Sequence, residues 1–142
     1  MRSLHPDYQI RVEKLQQLLS RQGIEALVVT SNVGLLYLSG QVFSGLIFVP
    51  QTGPAQFFVR RPQTEPESDT LHHIRKIEQL TDYIDTAKIA SVALELDEQS
   101  YGDIQRQKKL FPSAELHNGT ALLREARMVK TPLEIEQILE GA

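Results

Sequence analysis

Apolar side chains recur with helical spacing near the start of the chain. Tyr8, Val12, Leu15 and Leu19 stand at i, i+4, i+7 and i+11, and Leu18 widens the stripe. Pro6 and Asp7 suit the first turn of that helix, and Gly23 suits its stop. The pattern then changes. "ALVVT", residues 26–30, is a continuous β-rich run of the kind found in strands covered on both faces. "SNVGLLYLSG", residues 31–40, reads as a short helix capped by Ser31 or Asn32, with Val33, Leu36 and Tyr37 inward and Gly40 as its left-handed stop. "GLIFVP" and "AQFFVR" flank the turn residues "QTGP" and predict a hairpin.

Beyond the hairpin the signals weaken and then return. "RRPQTEPESD" predicts a surface loop or a frayed helix start. "HIRKIEQL" reads as a weak strand, "DYIDTAK" as one or two helical turns, and "SVALEL" as a second firm strand. Asp97 is placed to cap a helix over "EQSYGDIQRQKKLF", with Tyr101, Ile104 and Lys108 on one line and Pro112 ending it. "AELHNG" predicts a short last strand and "TALLREAR" a helix. The whole is a single α/β domain: a mixed, mostly parallel sheet of about six strands with helices on both faces.

Composition narrows the function. The 142 residues are 41% hydrophobic and 23% charged, with a formal net charge of −3. A nucleic-acid binder needs a clustered basic face, whereas the pairs Arg60-Arg61, Arg75-Lys76 and Lys108-Lys109 are scattered along the sequence. No apolar run approaches the roughly 18 residues of a membrane span, and the N-terminus lacks a signal-peptide core. The expectation is a cytoplasmic chain with neither nucleic acid nor membrane as partner. Cysteine is absent, which removes disulfides and every thiolate site.

The usual catalytic signatures are missing. His5, His72, His73 and His117 contain no i, i+4 pair and no H-E-x-x-H. "GQVFSG" has phosphate-loop glycine spacing, but Leu46 and Ile47 stand where Lys and a hydroxyl residue belong. Ser44 lacks the glycines of a nucleophile elbow. Glu65, Glu67 and Asp69 alternate like calcium ligands without the glycine or the closing glutamate of such a loop. No catalytic residue and no metal ligand is assigned.

The C-terminal stretch is more specific. "TPLE" is a capping box: Thr131 caps, Pro132 stands first in the helix, and Glu134 reaches back. Ile135, Ile138, Leu139 and Ala142 then begin an apolar stripe. "RMVKTPLEIEQI" resembles the segment R-x-[VI]-K-[ST]-x-x-E-[IL] that joins the two domains of the creatinase/aminopeptidase P/prolidase (peptidase M24) family. Arg127, Lys130, Thr131 and Glu134 occupy its positions as linker residues. Arg11, Leu15, Leu18, Gly23 and "ALVVTSNVGLLYLSG" resemble the family's opening, with Asn32 and Tyr37 in place. "FFVRRP" looks like the third strand of bacterial Xaa-Pro peptidases.

The resemblance implies a creatinase N-terminal domain-like, ribonuclease H-like fold over residues 1–126. Residues 127–142 would form a linker and the start of a helix leading to a pita-bread catalytic domain outside this chain. That second domain would hold two divalent metal ions (manganese, cobalt or zinc), with none bound by this chain. The implied role is non-catalytic: contact in a homodimer, partnership with the chain's own C-terminal catalytic domain, and restriction of access for short proline-containing peptides. Candidates for access or interface are Asn32, Tyr37, Phe43, Arg60 and Arg61. Each has a plainer alternative. Tyr37 can be a hydrogen-bonded connector, and the arginines can form surface salt bridges. Gln41 departs from the aromatic residue common after Y-L-S-G. The competing functions are a stand-alone peptide- or protein-binding module and a nucleotide-type small-molecule domain, the latter unsupported by any phosphate loop.

Overall fold

The computed structural model describes residues 6–128 together with 135, 136, 138 and 139. Helix α1 spans Pro6–Gln22 and ends where Gly23 takes a φ of 68°. Val12, Leu15, Leu18 and Leu19 are buried, and Tyr8 is half-buried. Strand β1, Ala26–Val29, is buried at every position, as its unbroken apolar run predicts. Helix α2, Asn32–Ser39, opens on the Ser31 cap, whose hydroxyl accepts the Gly34 N–H at 3.0 Å. It closes on Gly40 at φ 76°. Its inner face is Leu35, Tyr37 and Leu38; Val33 and Leu36 point outward and are 50% and 52% exposed. The expected inner face is therefore corrected. Gly34 sets this rotation, because it faces Val29 so closely that an added Cβ would lie 2.4 Å from Val29 Cγ1.

Strands β2, Ser44–Pro50, and β3, Gln56–Arg61, form the predicted hairpin. Strand β4, Leu71–His73, precedes a 3-10 helix over Ile77–Asp82 and a second over Thr86–Lys88. The expected strand "HIRKIEQL" thus begins earlier and stops at His73. Gln79 Oε1 accepts the N–H groups of Arg75 and Lys76 and turns the chain into the 3-10 helix. Strand β5 is Ser91–Leu94, helix α3 Tyr101–Lys108, strand β6 Glu115–Asn118 and helix α4 Thr120–Met128. Ser100, not Asp97, caps α3, accepting the Asp103 N–H at 3.2 Å. Asp97 instead accepts a hydrogen bond from Asn118 Nδ2 at 3.2 Å and donates its N–H to Thr120 Oγ1, tying the loop after β5 to the β6–α4 junction. Of the expected line, Ile104 packs partly buried on the core, whereas Tyr101 is 77% exposed and Lys108 is exposed; the helix also buries Gln107.

The six strands form one sheet in the order β4-β3-β2-β1-β5-β6. β1–β5, β5–β6 and β3–β4 are parallel, while β1–β2 and β2–β3 are antiparallel. Leu27, Val29, Ile47 and Val49 face α1, α2 and α4, packing on Leu15, Leu19, Leu38 and Leu122. Val28, Leu46, Phe48 and Phe58 face the other way, onto Leu80, Leu110 and Phe111. This is the expected mixed α/β sheet with helices on both faces. α4 runs unbroken past residue 126 to Met128. Among the described residues no helix is long and apolar enough to cross a membrane.

Candidate functional site

The parallel strands β1 and β5 end side by side, and ligands of open α/β sheets gather at such carboxyl edges. A cleft of about 390 Å³ opens there. Its walls include Thr30 and Ser31 after β1, Phe43 before β2, Arg60 near the end of β3, and Ser100 and Arg106 of the α3 region. Two of the sequence candidates, Phe43 and Arg60, thus meet in one cleft. Phe43 is mostly buried, whereas Arg60 is exposed.

The two arginines of the cleft differ in what they can do. Arg106 grips Glu78 with both ends of its fork, Nε to Oε2 at 2.7 Å and Nη2 to Oε1 at 2.8 Å. That hydrogen-bonded guanidinium holds the Glu78 carboxyl down at about 2. Arg106 is accordingly engaged and its charge matched. Arg60 donates Nε–H to the Arg75 carbonyl at 3.1 Å, which orients the side chain. Among the described residues this is its one hydrogen bond, so the terminal nitrogens can address a carboxylate in two-point geometry. Arg61 follows Arg60 where the β2–β3 register shifts opposite Ser44 and Gly45, and it is exposed. Of the expected arginine pair, Arg60 is the one that the walls of this cleft include.

Asn32 is exposed at the first position of α2. Tyr37 is 6% exposed and serves as a connector. Its hydroxyl donates to the Ala126 carbonyl at 3.1 Å, and its own carbonyl accepts from Arg11 Nη1 at 2.7 Å. The Arg11 guanidinium lies 4.9 Å from the ring centroids of both Tyr8 and Tyr37 and pairs with Asp7 at 3.0 Å. This cluster ties α1, α2 and α4 together below the cleft edge.

Sequence reasoning missed Glu95. It is 1% exposed, and its Oε1 accepts the N–H groups of Thr30 at 2.6 Å and Ser31 at 2.9 Å. A buried carboxylate just beyond β5 thus fixes the entry to α2 and one wall of the cleft. The available signal was an acidic residue interrupting the apolar run "SVALEL". Asp7 and Arg11 were missed similarly, although opposite charges at i and i+4 beside an apolar stripe mark a pair that can be buried together.

The histidines lie elsewhere. His72 is 7% exposed, stacked on Tyr83 with Phe58 tilted against both rings, and its Nε2 lies 2.8 Å from Gln56 Oε1. Burial lowers its pKa, against the opposing pull of Glu67 and Asp69. His73 Nε2 bonds the Glu65 carbonyl at 2.7 Å, and His117 lies 3.3 Å from Glu115. Among the described residues no group of three or more His, Asp or Glu side chains is arranged to hold a metal ion. Of the linker candidates, Arg127 is exposed in the last turn of α4. Lys130, Thr131 and Glu134 lie outside the described residues.

Comparison with known proteins adds to this geometry. The sequence pattern of the creatinase/prolidase N-terminal domain family matches residues 11–129. The chain is 24% identical over 140 residues to the uncharacterized peptidase YqhT of Bacillus subtilis (strain 168), covering 94% of this chain and 40% of that protein. The fold is similar to that of a Xaa-Pro dipeptidase from Bacillus anthracis, with a TM-score of 0.73 at 17% identity, over 91% of this chain and 38% of that one. It is also similar to the N-terminal domain of the cytoplasmic peptidase PepQ from Mycobacterium tuberculosis H37Rv, with a TM-score of 0.69 at 16% identity, over 82% and 98% of the two chains. The chain therefore spans well under half the length of the relatives that carry a second part.

Proposed function

The chain belongs to the creatinase/prolidase N-terminal domain family, and from that premise we propose that it is the non-catalytic N-terminal unit of a metal-dependent Xaa-Pro peptidase. The observation that carries this reading is the match over residues 11–129 combined with coverage of only 40% of the Bacillus subtilis relative. In this reading metal chemistry resides in a C-terminal domain, on two divalent ions such as manganese, cobalt or zinc. This unit contributes to a homodimer and narrows the approach to that centre.

Arg60 is the residue through which the cleft would act on substrate. It stands at the carboxyl edge of the sheet, is oriented by the Arg75 carbonyl, and offers a fork to an anion. A short peptide carries one obligatory anion, its C-terminal carboxylate, and a fork recognises that group at two points. Phe43 beside it supplies an apolar surface for a small ring or side chain. A peptide-binding module without a catalytic partner is the second reading, favoured by the presence of this cleft within the chain itself.

Purified chain supplied with manganese, cobalt or zinc is expected to leave Xaa-Pro dipeptides intact. Turnover by this chain would contradict the assignment. Calorimetric titration with the same dipeptides separates the two readings: binding by the isolated chain that is lost in Arg60→Ala supports the binding module, whereas no heat supports a gate that works only beside its catalytic domain.

A further inference from the structure

The arginine that addresses the cleft is itself held, at one remove, by a second side chain. Gln79 is half-buried in the 3-10 helix over Ile77–Asp82. Its Oε1 meets two donors, the backbone N–H groups of Arg75 and Lys76, the latter at 3.1 Å. Two donors require the oxygen rather than the nitrogen of the amide on that side. On the far side, Arg60 Nε–H meets the Arg75 carbonyl at 3.1 Å.

These contacts share one rigid unit. The Arg75 carbonyl and the Lys76 N–H belong to the same planar trans peptide, in which C=O and N–H point opposite ways. Holding the N–H therefore aims the carbonyl. The line runs from Gln79 Oε1 through Lys76 N–H and Arg75 C=O to Arg60 Nε–H. Hydrogen bonds in series polarise one another, so loss at one end weakens the other. The line has a fixed base: Ile74, 2% exposed, donates its N–H to the Val59 carbonyl at 3.0 Å and keeps residues 74–75 beside residues 59–60. Arg75 and Lys76 are exposed, so without Gln79 water competes for their peptide. The same 3-10 helix lines the cleft through Ile77 and engages Arg106 through Glu78.

We propose that Gln79 is a positioning residue for Arg60: acting through the Arg75–Lys76 peptide, it sets the direction in which the Arg60 fork meets a carboxylate in the cleft. The part played in recognition rests on the reading of the cleft given above, whereas the hold on Arg60 does not.

The test reads Arg60 directly. In the isotope-labelled chain the Arg60 Nε–H resonance is identified by its loss in Arg60→Lys. Gln79→Leu keeps the bulk and removes the acceptor. It is expected to speed solvent exchange of that proton roughly three- to tenfold, the range that one net hydrogen bond spans. Gln79→Glu keeps an oxygen at the same reach and is expected to preserve slow exchange. The Nε–H of Arg106, held by Glu78 of the same helix, is the control and should not change. Altered Arg75 and Lys76 amide resonances with unchanged Arg60 exchange would overturn the proposal, because Gln79 would then only turn the chain. Equal acceleration at Arg60 and Arg106, or fast exchange at Arg60 in Gln79→Glu, would overturn it as well. Gln79→Asn withdraws the oxygen by one methylene; it replaces Gln79→Leu if that variant does not fold and carries the same expectation. Glycyl-proline titration reports separately on the cleft. Where the unaltered chain binds it, Gln79→Leu should weaken binding roughly three- to tenfold, and no further in an Arg60→Ala background; a further loss there would overturn the route through Arg60. A silent titration of the unaltered chain contradicts recognition by the isolated unit, and the exchange rates still decide the hold on Arg60.

Discussion

At the carboxyl end of β5, one oxygen of Glu95 receives the backbone N–H groups of Thr30 and Ser31. Two N–H groups that share one carboxyl oxygen depend on it for their hydrogen bonding. Glu95→Ala leaves both donors without that acceptor and should cost on the order of 3 kcal/mol in denaturant unfolding. Glu95→Gln keeps an amide oxygen in the same place and should cost about 1 kcal/mol. Equal losses for the two variants would mean that volume, not the acceptor, matters there. His72 supplies a pH signature. Its folded pKa lies below the ordinary 6.5 because it is buried. Above pH 6.5 the neutral ring suits both states. As pH falls below that value, the unfolded chain takes up a proton that the folded chain resists, so stability declines until the folded pKa is passed. His72→Phe, which keeps an aromatic ring against Phe58 and Tyr83, should flatten that part of the stability–pH curve. Glu78 acts at lower pH: its carboxyl is held at about 2 by Arg106, so its contribution is full above the usual 4.5 and fades as pH falls toward 2. Solvent screening keeps that contribution modest, since both side chains are nearly half exposed.

At the scale of elements, α2 shows what could and could not be read from sequence. Its cap, length and stop were legible, because Ser31 and Gly40 have local chemistry that identifies them. Its rotation was not, because Leu35, Leu36 and Leu38 offer apolar residues on more than one side. Tertiary contact decided it, through Gly34 pressed on Val29. Gly34→Ala would place a methyl group against a stiff β-branched side chain and the Leu123 methyl, and should destabilise the fold by about 1–3 kcal/mol in thermal or denaturant unfolding. Tolerance of alanine there would show that α2 can lift from β1 without loss. The short β4 was blurred for a related reason: after three strand residues a side-chain amide turns the backbone, and no hydrophobic period announces that change. The hairpin, α1 and β5 were legible because pattern and terminators agreed.

For the whole molecule, the sheet order places the cleft. β1 sits between an antiparallel neighbour, β2, and a parallel one, β5, so the chain leaves the sheet at the edge where Ser31, Arg60 and Arg106 assemble. Sequence alone supplied Phe43 and Arg60 as separate candidates. Their convergence follows from the β2–β3 hairpin, which pairs Ser44 with Arg61, whereas the wall that Ser100 and Arg106 add is long-range information that local pattern does not carry. Tyr37, also a candidate, is buried and bonded to the Ala126 carbonyl. The chain belongs to the creatinase/prolidase N-terminal domain family and covers 40% of its Bacillus subtilis relative, and the proposed reading places the chemistry in a second domain. The most direct test is the rate of Xaa-Pro dipeptide hydrolysis by the purified 142-residue chain in the presence of manganese, cobalt or zinc. The account predicts a rate equal to that of the metal-only blank; a rate that rises in proportion to added chain, and disappears with a chelator, would contradict it.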